Sequence, residues 1–416
     1  MELVVCNSKS DERRGAAACK FTDDIIEEIL CRLDDAQSVM RCKCVCKSWL
    51  SLITHPSFKH RHLKHQVPGI VLHNLSVSIP FLIHRRGSES FSSHKCPEDI
   101  DHISVIGNSR KVAIMGSQNG VICLYYTVHK SVYLWNPSIR KLRILPPPPP
   151  PPPPPRADSP TYMYGGLGYD ALTDDFKVVS LNGCLRRIRD DYFKRGKLVE
   201  VYSLRSDCWK TLEMPDLFSG HDYHGSSSST QMITDSYNSC CSLVVNGSIH
   251  WLIHYGRRER VTLPLYAELY LDHVGIVAFD MSTEVFSLID SPAPSLEDGF
   301  KASNVHSMCD WSGHLSLLTL EGSSPIEIWV MKQYGVSDSW TKHFSVDFSN
   351  LPVPPSVQSF QYINPIALYN NGDLLVQFEY RGSFYRYDRK RNSIEYLCPA
   401  APVVQFTTYV ESIFLS

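Results

Sequence analysis

The sequence predicts a small all-α module followed by an all-β domain, a β-propeller of about six blades. Three observations lead to this fold class. Apolar residues recur at helical spacing within residues 20–64. Residues 66–416 contain roughly 22 short runs typical of β-strands. A degenerate unit of about 50 to 75 residues repeats along this second region, as expected for stacked blades. Residues 1–19 are expected to form a flexible tail.

The composition is that of an ordinary globular protein. Of the 416 residues, 43% are hydrophobic and 20% are charged, and 41 Lys and Arg against 43 Asp and Glu give a formal net charge of −2. This near-neutrality argues against a nucleic-acid partner, whose binding surface needs a positive excess. No apolar stretch reaches the roughly 18 to 20 residues of a membrane span, and residues 1–14 lack a signal-peptide core. We therefore expect a cytoplasmic or nuclear protein without a membrane partner.

The 14 cysteines do not form a metal-binding pattern. There is no Cys-x-x-Cys pair, and on a helix Cys44 would lie opposite Cys42 and Cys46. In a reducing compartment, free cysteines mostly behave as small buried hydrophobic residues. We expect neither a metal nor a cofactor.

The helical module is expected to begin with Thr22 as the N-cap of a first helix, followed by two aspartates in the first turn. The apolar positions of this helix are Ile25, Ile26, Ile29, Leu30 and Leu33. After a break at Asp34-Asp35, further helical runs extend to about residue 63. About 45 residues bury too little surface to be securely stable alone. We therefore expect the module to pack on a partner or on the next domain.

The β domain shows two recurring units. One is a glycine turn before an apolar strand, at Asn119-Gly120, Asn246-Gly247, Ser312-Gly313 and Asn371-Gly372. The other is an aromatic residue followed by Asn or Asp at a strand end, at Trp135-Asn136, Phe279-Asp280 and Tyr387-Asp388. Both units fit hairpins within four-stranded blades. We expect the strand near residues 403–410 to pair with one near Ile70 or Phe81 and so close the ring.

The helical module resembles the F-box of plant F-box proteins. The resemblance rests on FTDDIIEEILCRL and SVMRCKCVCKSWLSLITHPSFKHRHL, in which CVCKSW, a Ser-Leu-Ile run, Pro and Phe follow in the order of that family. Phe21-Thr22 stands where the family usually has Leu-Pro, and Asp34 where it has Pro. The resemblance implies docking to a Skp-type adaptor and, through it, to a cullin. The residues assigned to adaptor binding are Phe21, Ile25, Ile29, Leu30, Leu33, Val39 and Trp49.

The β domain resembles the F-box-associated and kelch-like domains that follow the F-box in plant proteins. WNPSIRKLRILPPP, GYDALTDDFKVV, VYSLRSDCWKTL, VNGSIHWL and AFDMSTEVFSL occur in the order of that family. The resemblance implies a non-catalytic substrate-recognition subunit of a Skp-cullin-F-box ubiquitin ligase that recruits an unknown target protein. The loop residues assigned to the target are Arg187, Tyr192, Phe193, His221 and Tyr223. The alternatives are a non-ligase scaffold that binds proteins or sequesters the adaptor, and a propeller enzyme.

Four other motifs have structural explanations beside functional ones. GLGYDA at residues 166–171 mimics a dinucleotide fingerprint, but a turn and a strand are expected after it where such a site needs a helix. The ten prolines at 146–155 predict a polyproline II rod of about 31 Å, as an expanded loop or as a ligand for an aromatic groove. The basic run 59–65 could bind phosphate, but a solvated linker face is expected there. His250 is expected to pack in a strand rather than to act in catalysis. No GxSxG, HExxH or Walker A motif is present in the sequence.

Overall fold

The computed structural model describes residues 22–73, 81–85, 91–94, 112–126, 130–149, 165–181, 198–213, 215, 217, 231–232, 242–262, 268–292, 305–320, 325–351, 363–369, 371–378, 383–398 and 405–415. Four α-helices come first: α1 (Asp23–Cys31), α2 (Ala36–Cys42), α3 (Lys47–Thr54) and α4 (Pro56–His65). None of the helices described is long and apolar enough to cross a membrane.

The helices begin where the sequence supplies a cap. Thr22 is the N-cap of α1, although its side chain makes no capping hydrogen bond. Asp35 caps α2, because its carboxylate accepts hydrogen bonds from the backbone N–H groups of Gln37 and Ser38. The break at Asp34-Asp35 is therefore a helix start. His55 caps α4, whose first residue is a proline, a residue favoured at that position.

Twenty-five described strands form six antiparallel sheets, the blades of the propeller. Blade 1 contains β25 (Gln405–Val410), β1 (Pro68–His73), β2 (Phe81–Arg85) and β3 (Phe91–His94). Blade 2 contains β4 (Val112–Gln118), β5 (Val121–Tyr126), β6 (Ser131–Asn136) and β7 (Lys141–Ile144). Blade 3 contains β8 (Gly165–Asp170), β9 (Asp175–Ser180), β10 (Leu198–Ser203) and β11 (Cys208–Glu213).

The remaining three blades follow in chain order. Blade 4 contains β12 (Gln231–Met232), β13 (Leu243–Val245), β14 (Ser248–Thr262), β15 (Glu268–Asp280) and β16 (Phe286–Asp290). Blade 5 contains β17 (Val305–Trp311), β18 (His314–Leu320), β19 (Ile326–Met331) and β20 (Trp340–Val346). Blade 6 contains β21 (Ile363–Leu368), β22 (Leu374–Phe378), β23 (Phe384–Asp388) and β24 (Ser393–Cys398).

The ring is closed as the sequence predicts. β25 pairs antiparallel with β1, with Ile70 opposite Thr408, so the last described strand joins the first blade. A hydrophobic cluster fills each seam between neighbouring blades. Between blades 6 and 1, Ile70 packs in one cluster with Ile366 and Phe384. Each sheet thus buries both its faces against neighbours, which it could not do alone.

The recurring motifs of the sequence are turn residues. Asn119 and Gly120 have φ of 50° and 75°, the left-handed conformation that a two-residue hairpin turn requires at both positions. At the other unit, the Asp280 carboxylate accepts hydrogen bonds from the backbone N–H groups of Ser282 and Thr283 and fixes the turn that leads to β16.

These turns lie together at one face of the propeller, and the helical module lies at the same face. In blades 2, 3, 5 and 6, the turn between the first two strands and the turn between the last two lie at the same end, and in blade 4 the β13–β14 and β15–β16 turns do so. β1 begins at this end, directly after α4. Ile139, in the turn after β6, packs against the core of the module. The last strand of each of blades 2–6 therefore ends at the opposite face.

The dinucleotide-like segment at 166–171 is part of β8 and its turn, and β9 follows it. Its glycines allow close packing between blades. A Cβ on Gly166 would lie 2.6 Å from Ile249 Cγ2 and 2.6 Å from Ser242 Oγ, so no larger residue fits without displacing them. The expectation that a turn and a strand follow this motif is confirmed.

Candidate functional site

The exposed face of α1 is the first part of the candidate site. Ile25 and Ile29 lie one helical turn apart, and their side chains are 45% and 53% exposed. Val45, between α2 and α3, and Leu50, in α3, are also largely exposed and were not assigned from the sequence. Val45 stands between two cysteines and belongs to no apolar run. Leu50 lies in the apolar segment 49–53, where the residue types do not separate exposed from buried positions.

The other assigned residues have different environments. Leu30 and Val39 are 3% and 0% exposed and belong to the hydrophobic core of the module. As direct adaptor contacts these two assignments are corrected, because the module's own side chains cover them. Leu33 and Trp49 are partly buried at the edge of the same core. Phe21 lies outside the described residues.

A network of charges borders the exposed isoleucines. Arg61 of α4 donates from Nη1 to Glu27 Oε1 at 2.6 Å and from Nη2 to Glu28 Oε2 at 2.9 Å. Glu28 Oε1 accepts a hydrogen bond from Arg32 Nε at 2.7 Å. The hydrogen bond and charge of Arg32, with the charge of Arg61, lower the pKa of Glu28. These pairs are exposed and stabilise little, but they place fixed charges beside Ile29.

Helix α4 fixes the module to the propeller. The ring of His60 lies 5.3 Å from that of Tyr169 and 5.3 Å from that of Phe414. Leu63 packs against the cluster between blades 2 and 3. The side chain of His62 is buried, with Nε2 3.1 Å from the carbonyl oxygen of Leu33. The expectation of a solvated linker face is correct for Arg61, Lys64 and His65, which are exposed. It is wrong for His60 and His62, which join the helices to the propeller and to each other.

The residues assigned to the target all lie outside the described residues, within 182–197 and 218–230. The strand ends that flank them are described. Ser180 and Leu198 lie at the end of blade 3 that carries Gly165, whereas the module packs near Tyr169 at the other end. The described strand ends on either side of 182–197 therefore lie at the face opposite the module.

The same opposite face carries a projecting two-stranded ribbon. Within the described residues, 255–262 of β14 and 268–273 of β15 pair only with each other, after an irregularity at Tyr255. At 3.3 Å per residue the ribbon extends about 20 Å beyond the blade. This element was not predicted, because Gly256, the charged run 257–260 and Pro264 interrupt the apolar alternation on which a strand prediction rests.

The start of the proline run is held at the rim between blades 2 and 3. Trp209 donates from Nε1 to the carbonyl oxygen of Pro146 at 2.7 Å. Trp209 itself packs on Tyr202, its partner across the β10–β11 hairpin, with ring centroids 5.2 Å apart. Prolines 150–155 lie outside the described residues.

His250 has the packing role that its sequence context predicts. Its Nε2 lies 2.8 Å from Tyr334 Oη, which joins blade 4 to the connection after β19. Burial lowers the pKa of His250 to about 4, so the ring is neutral at pH 7.

Metal sites and cavities are two further kinds of functional site to consider in the described residues. In this part of the chain, no group of three or more His, Cys, Asp and Glu side chains could hold a metal ion. An open cavity of about 250 Å³ between blades 3 and 4 is lined by Lys177, Lys210 and Glu284 among others. Both lysines donate to Glu284, so these charges are engaged with one another.

Two family models match the chain over the two parts seen in the structure. The F-box domain matches residues 19–61, and the F-box associated beta propeller domain matches residues 75–412. The chain therefore belongs to the F-box associated β-propeller family, and the resemblance read from the sequence is confirmed. It is a protein of the F-box substrate-receptor type. An F-box implies binding to a Skp-type adaptor, and proteins of this family are generally non-catalytic receptor or adaptor subunits.

Similar proteins come from Arabidopsis thaliana. F-box protein CPR1 is 29% identical over 364 residues, covering 83% of this chain and 76% of that protein. F-box/kelch-repeat protein At3g23880 is 24% identical over 386 residues, covering 90% and 89%. Among solved structures, a chain of the Nidogen/Laminin complex aligns with a TM-score of 0.39 at 11% identity, covering 83% of this chain and 100% of that one. That structural likeness carries no functional meaning.

Proposed function

We propose that the chain is the substrate-recognition subunit of a Skp-cullin-F-box ubiquitin ligase in the cytoplasm or nucleus. The observation that supports this most is the uncovered pair Ile25 and Ile29 on α1. The module buries its own core and is fixed to the propeller, yet leaves these two large apolar side chains open. Adjacent apolar residues on one helix face are typical of a surface that binds a partner.

The mechanism of this receptor is proximity. The Skp-type adaptor binds the module and brings the cullin with its ubiquitin-charged enzyme. The target protein binds at the opposite face, where the ribbon leaves the propeller. Holding both partners on one rigid body raises the effective concentration of target lysines near the ubiquitin donor. The chain itself supplies no covalent chemistry.

Affinity purification of the tagged chain from plant cells tests this proposal. Recovery of both a Skp-type adaptor and a cullin is the expected result. Recovery of the adaptor alone supports a sequestering scaffold, and recovery of neither overturns the proposal. The Asp34 departure from the family pattern does not favour the scaffold, because Asp35 provides an intact cap for α2.

A further inference from the structure

We infer that residues 411–415, which follow the last described strand β25, complete the core of the helical module and so control its competence to bind the adaptor. The module would then be functional only when the propeller ring is closed. The identity of the adaptor as partner rests on the proposed function. The structural coupling between the segment and the module does not.

Ile413 is a core residue of the module, although it lies far away in the chain. It is 1% exposed and belongs to the same hydrophobic cluster as Leu30, Val39, Ile53 and Phe58. A module of about 45 residues has little core to lose, because small domains bury a small share of their surface. Removing this side chain opens the interior next to the helix that carries Ile25 and Ile29.

The neighbouring residue belongs to the propeller. Phe414 packs in the cluster between blades 2 and 3, with its ring 5.7 Å from that of Tyr169 and 5.6 Å from that of Phe176. His60 of α4 belongs to the same aromatic group, with its ring 5.3 Å from that of Phe414. Two consecutive residues thus join the two parts of the molecule.

Hydrogen bonds hold this segment in place. Asn136 Nδ2 lies 3.0 Å from the carbonyl oxygen of Ser412, 3.0 Å from Ser412 Oγ and 2.9 Å from the carbonyl oxygen of Phe414. Gly120 leaves the room for it, since a Cβ there would lie 2.4 Å from Ser412 Oγ and 2.4 Å from the Val410 oxygen. The position of residues 411–415 therefore depends on blade 2 as well as on β25.

Ring closure and module completion depend on the same strand. β25 pairs with β1, and β1 begins three residues after α4 ends. During synthesis the four helices emerge before the blades, whereas residues 411–415 emerge after them. A chain with an unfinished or open ring has therefore made its F-box helices but has not filled their core, and should not engage the ligase.

The experiment uses the full chain and the variant Ile413→Asp, with hydrogen exchange of the α1–α3 amides and titration with a purified Skp-type adaptor. We expect exchange protection of α1–α3 and adaptor affinity each to fall at least about tenfold, while strands of blades 3–6 stay protected. Val285→Asp, an exposed site in a turn on the same face, is the matched control and should change neither.

The variant Ile413→Ala removes the side chain without burying a charge. If Ile413→Asp unfolds the propeller, Ile413→Ala still tests whether this side chain completes the core of the module. We expect it to reduce protection of α1–α3 with the blades intact. Unchanged protection of α1–α3 in Ile413→Ala would overturn the inference. Failure of the unaltered chain to bind the adaptor would count against the proposed function only, because the exchange measurement needs no adaptor.

Discussion

Lys177 in β9 and Glu284, in the turn before β16, form an ion pair across the seam between blades 3 and 4, with Nζ 3.0 Å from Oε1. Lys177 also donates to Asp170 Oδ2 at 3.3 Å and to the carbonyl oxygen of Met281 at 2.6 Å. Its side chain is only 9% exposed. Burial alone raises the pKa of Asp170, but hydrogen bonds from Thr173, Leu172 and Lys177 outweigh it and lower the pKa. The ionised states of Lys177, Asp170 and Glu284 therefore stabilise one another.

Replacing this buried cation should destabilise the propeller. We expect Lys177→Met to lower the free energy of unfolding by about 3 kcal/mol, because it leaves the buried Asp170 without its cation and Glu284 with only the half-exposed Lys210. Denaturant unfolding followed by tryptophan fluorescence measures the loss. The control is Lys210→Met, which removes a half-exposed lysine from the same Glu284 and should cost less than about 1 kcal/mol. Equal losses in the two variants would contradict this assignment.

The hydrogen bonds from Asn136 to Ser412 and Phe414 should also contribute to the stability of the fold. We expect Asn136→Ala to lower the free energy of unfolding by about 2 kcal/mol, because buried carbonyl oxygens lose their donor. Thermal and denaturant unfolding measure it, with the exposed Val285→Ala as control. A loss no greater than that of the control would show that the amide does not hold the segment.

The close packing at Gly166 predicts a steric effect. Gly166→Ala should cost about 2 kcal/mol, because its Cβ would overlap Ile249 and Ser242 in a packed seam. Gly335→Asn is the comparison: Gly335 has a φ of 79°, has no neighbouring atom within 4 Å of an added Cβ, and asparagine tolerates that conformation. If both changes are equally tolerated in unfolding experiments, the seam is looser than described.

Buried His250 should make stability depend on pH. Burial lowers its pKa to about 4, below the ordinary value of about 6.5, so between these values the unfolded chain binds the proton more readily. Its contribution is therefore fully present above about pH 6.5 and is lost as the pH falls toward 4. From pH 7 to pH 5, the chain should lose about 2 kcal/mol more than His250→Gln does.

The comparison variant for this pH effect is Tyr334→Phe. It removes the hydroxyl that contacts His250 but keeps the titrating ring, so the steep pH dependence should remain. Stability measured by denaturant unfolding at several pH values decides the matter. An identical pH dependence in the unaltered chain and in His250→Gln would contradict the role of this histidine.

Much of the propeller could be predicted from the sequence because its signals are local. The turn at Asn119-Gly120 needs two positive φ values, and the Asp280 carboxylate closes its own turn, so both motifs carry their geometry within a few residues. The pairing of β25 with β1 followed from the need to protect sheet edges. The ribbon of β14 and β15 was not predicted, because Gly256, the charges at 257–260 and Pro264 hide the strand pattern there.

The site was less predictable because burial in the module depends on distant residues. Periodicity marks Ile29 and Leu30 as equally apolar neighbours, yet Ile29 is open to solvent and Leu30 lies in the core. Part of that core is Ile413, which no local pattern near α1 reveals. No local pattern reveals the ion pairs of Arg61 either, because its partners Glu27 and Glu28 belong to another helix.

The most direct test of the proposed function is the affinity of a purified Skp-type adaptor for the full chain and for the double variant Ile25→Asp/Ile29→Asp, measured by titration calorimetry. Both positions are exposed, so the module should stay folded, as the unchanged helical circular dichroism will show. Leu172→Asp, an exposed leucine in the turn after β8, is the matched control. We predict that the double variant loses at least about 100-fold in affinity while the control binds like the unaltered chain. Adaptor binding of undiminished strength in the folded double variant would contradict the docking face described for α1.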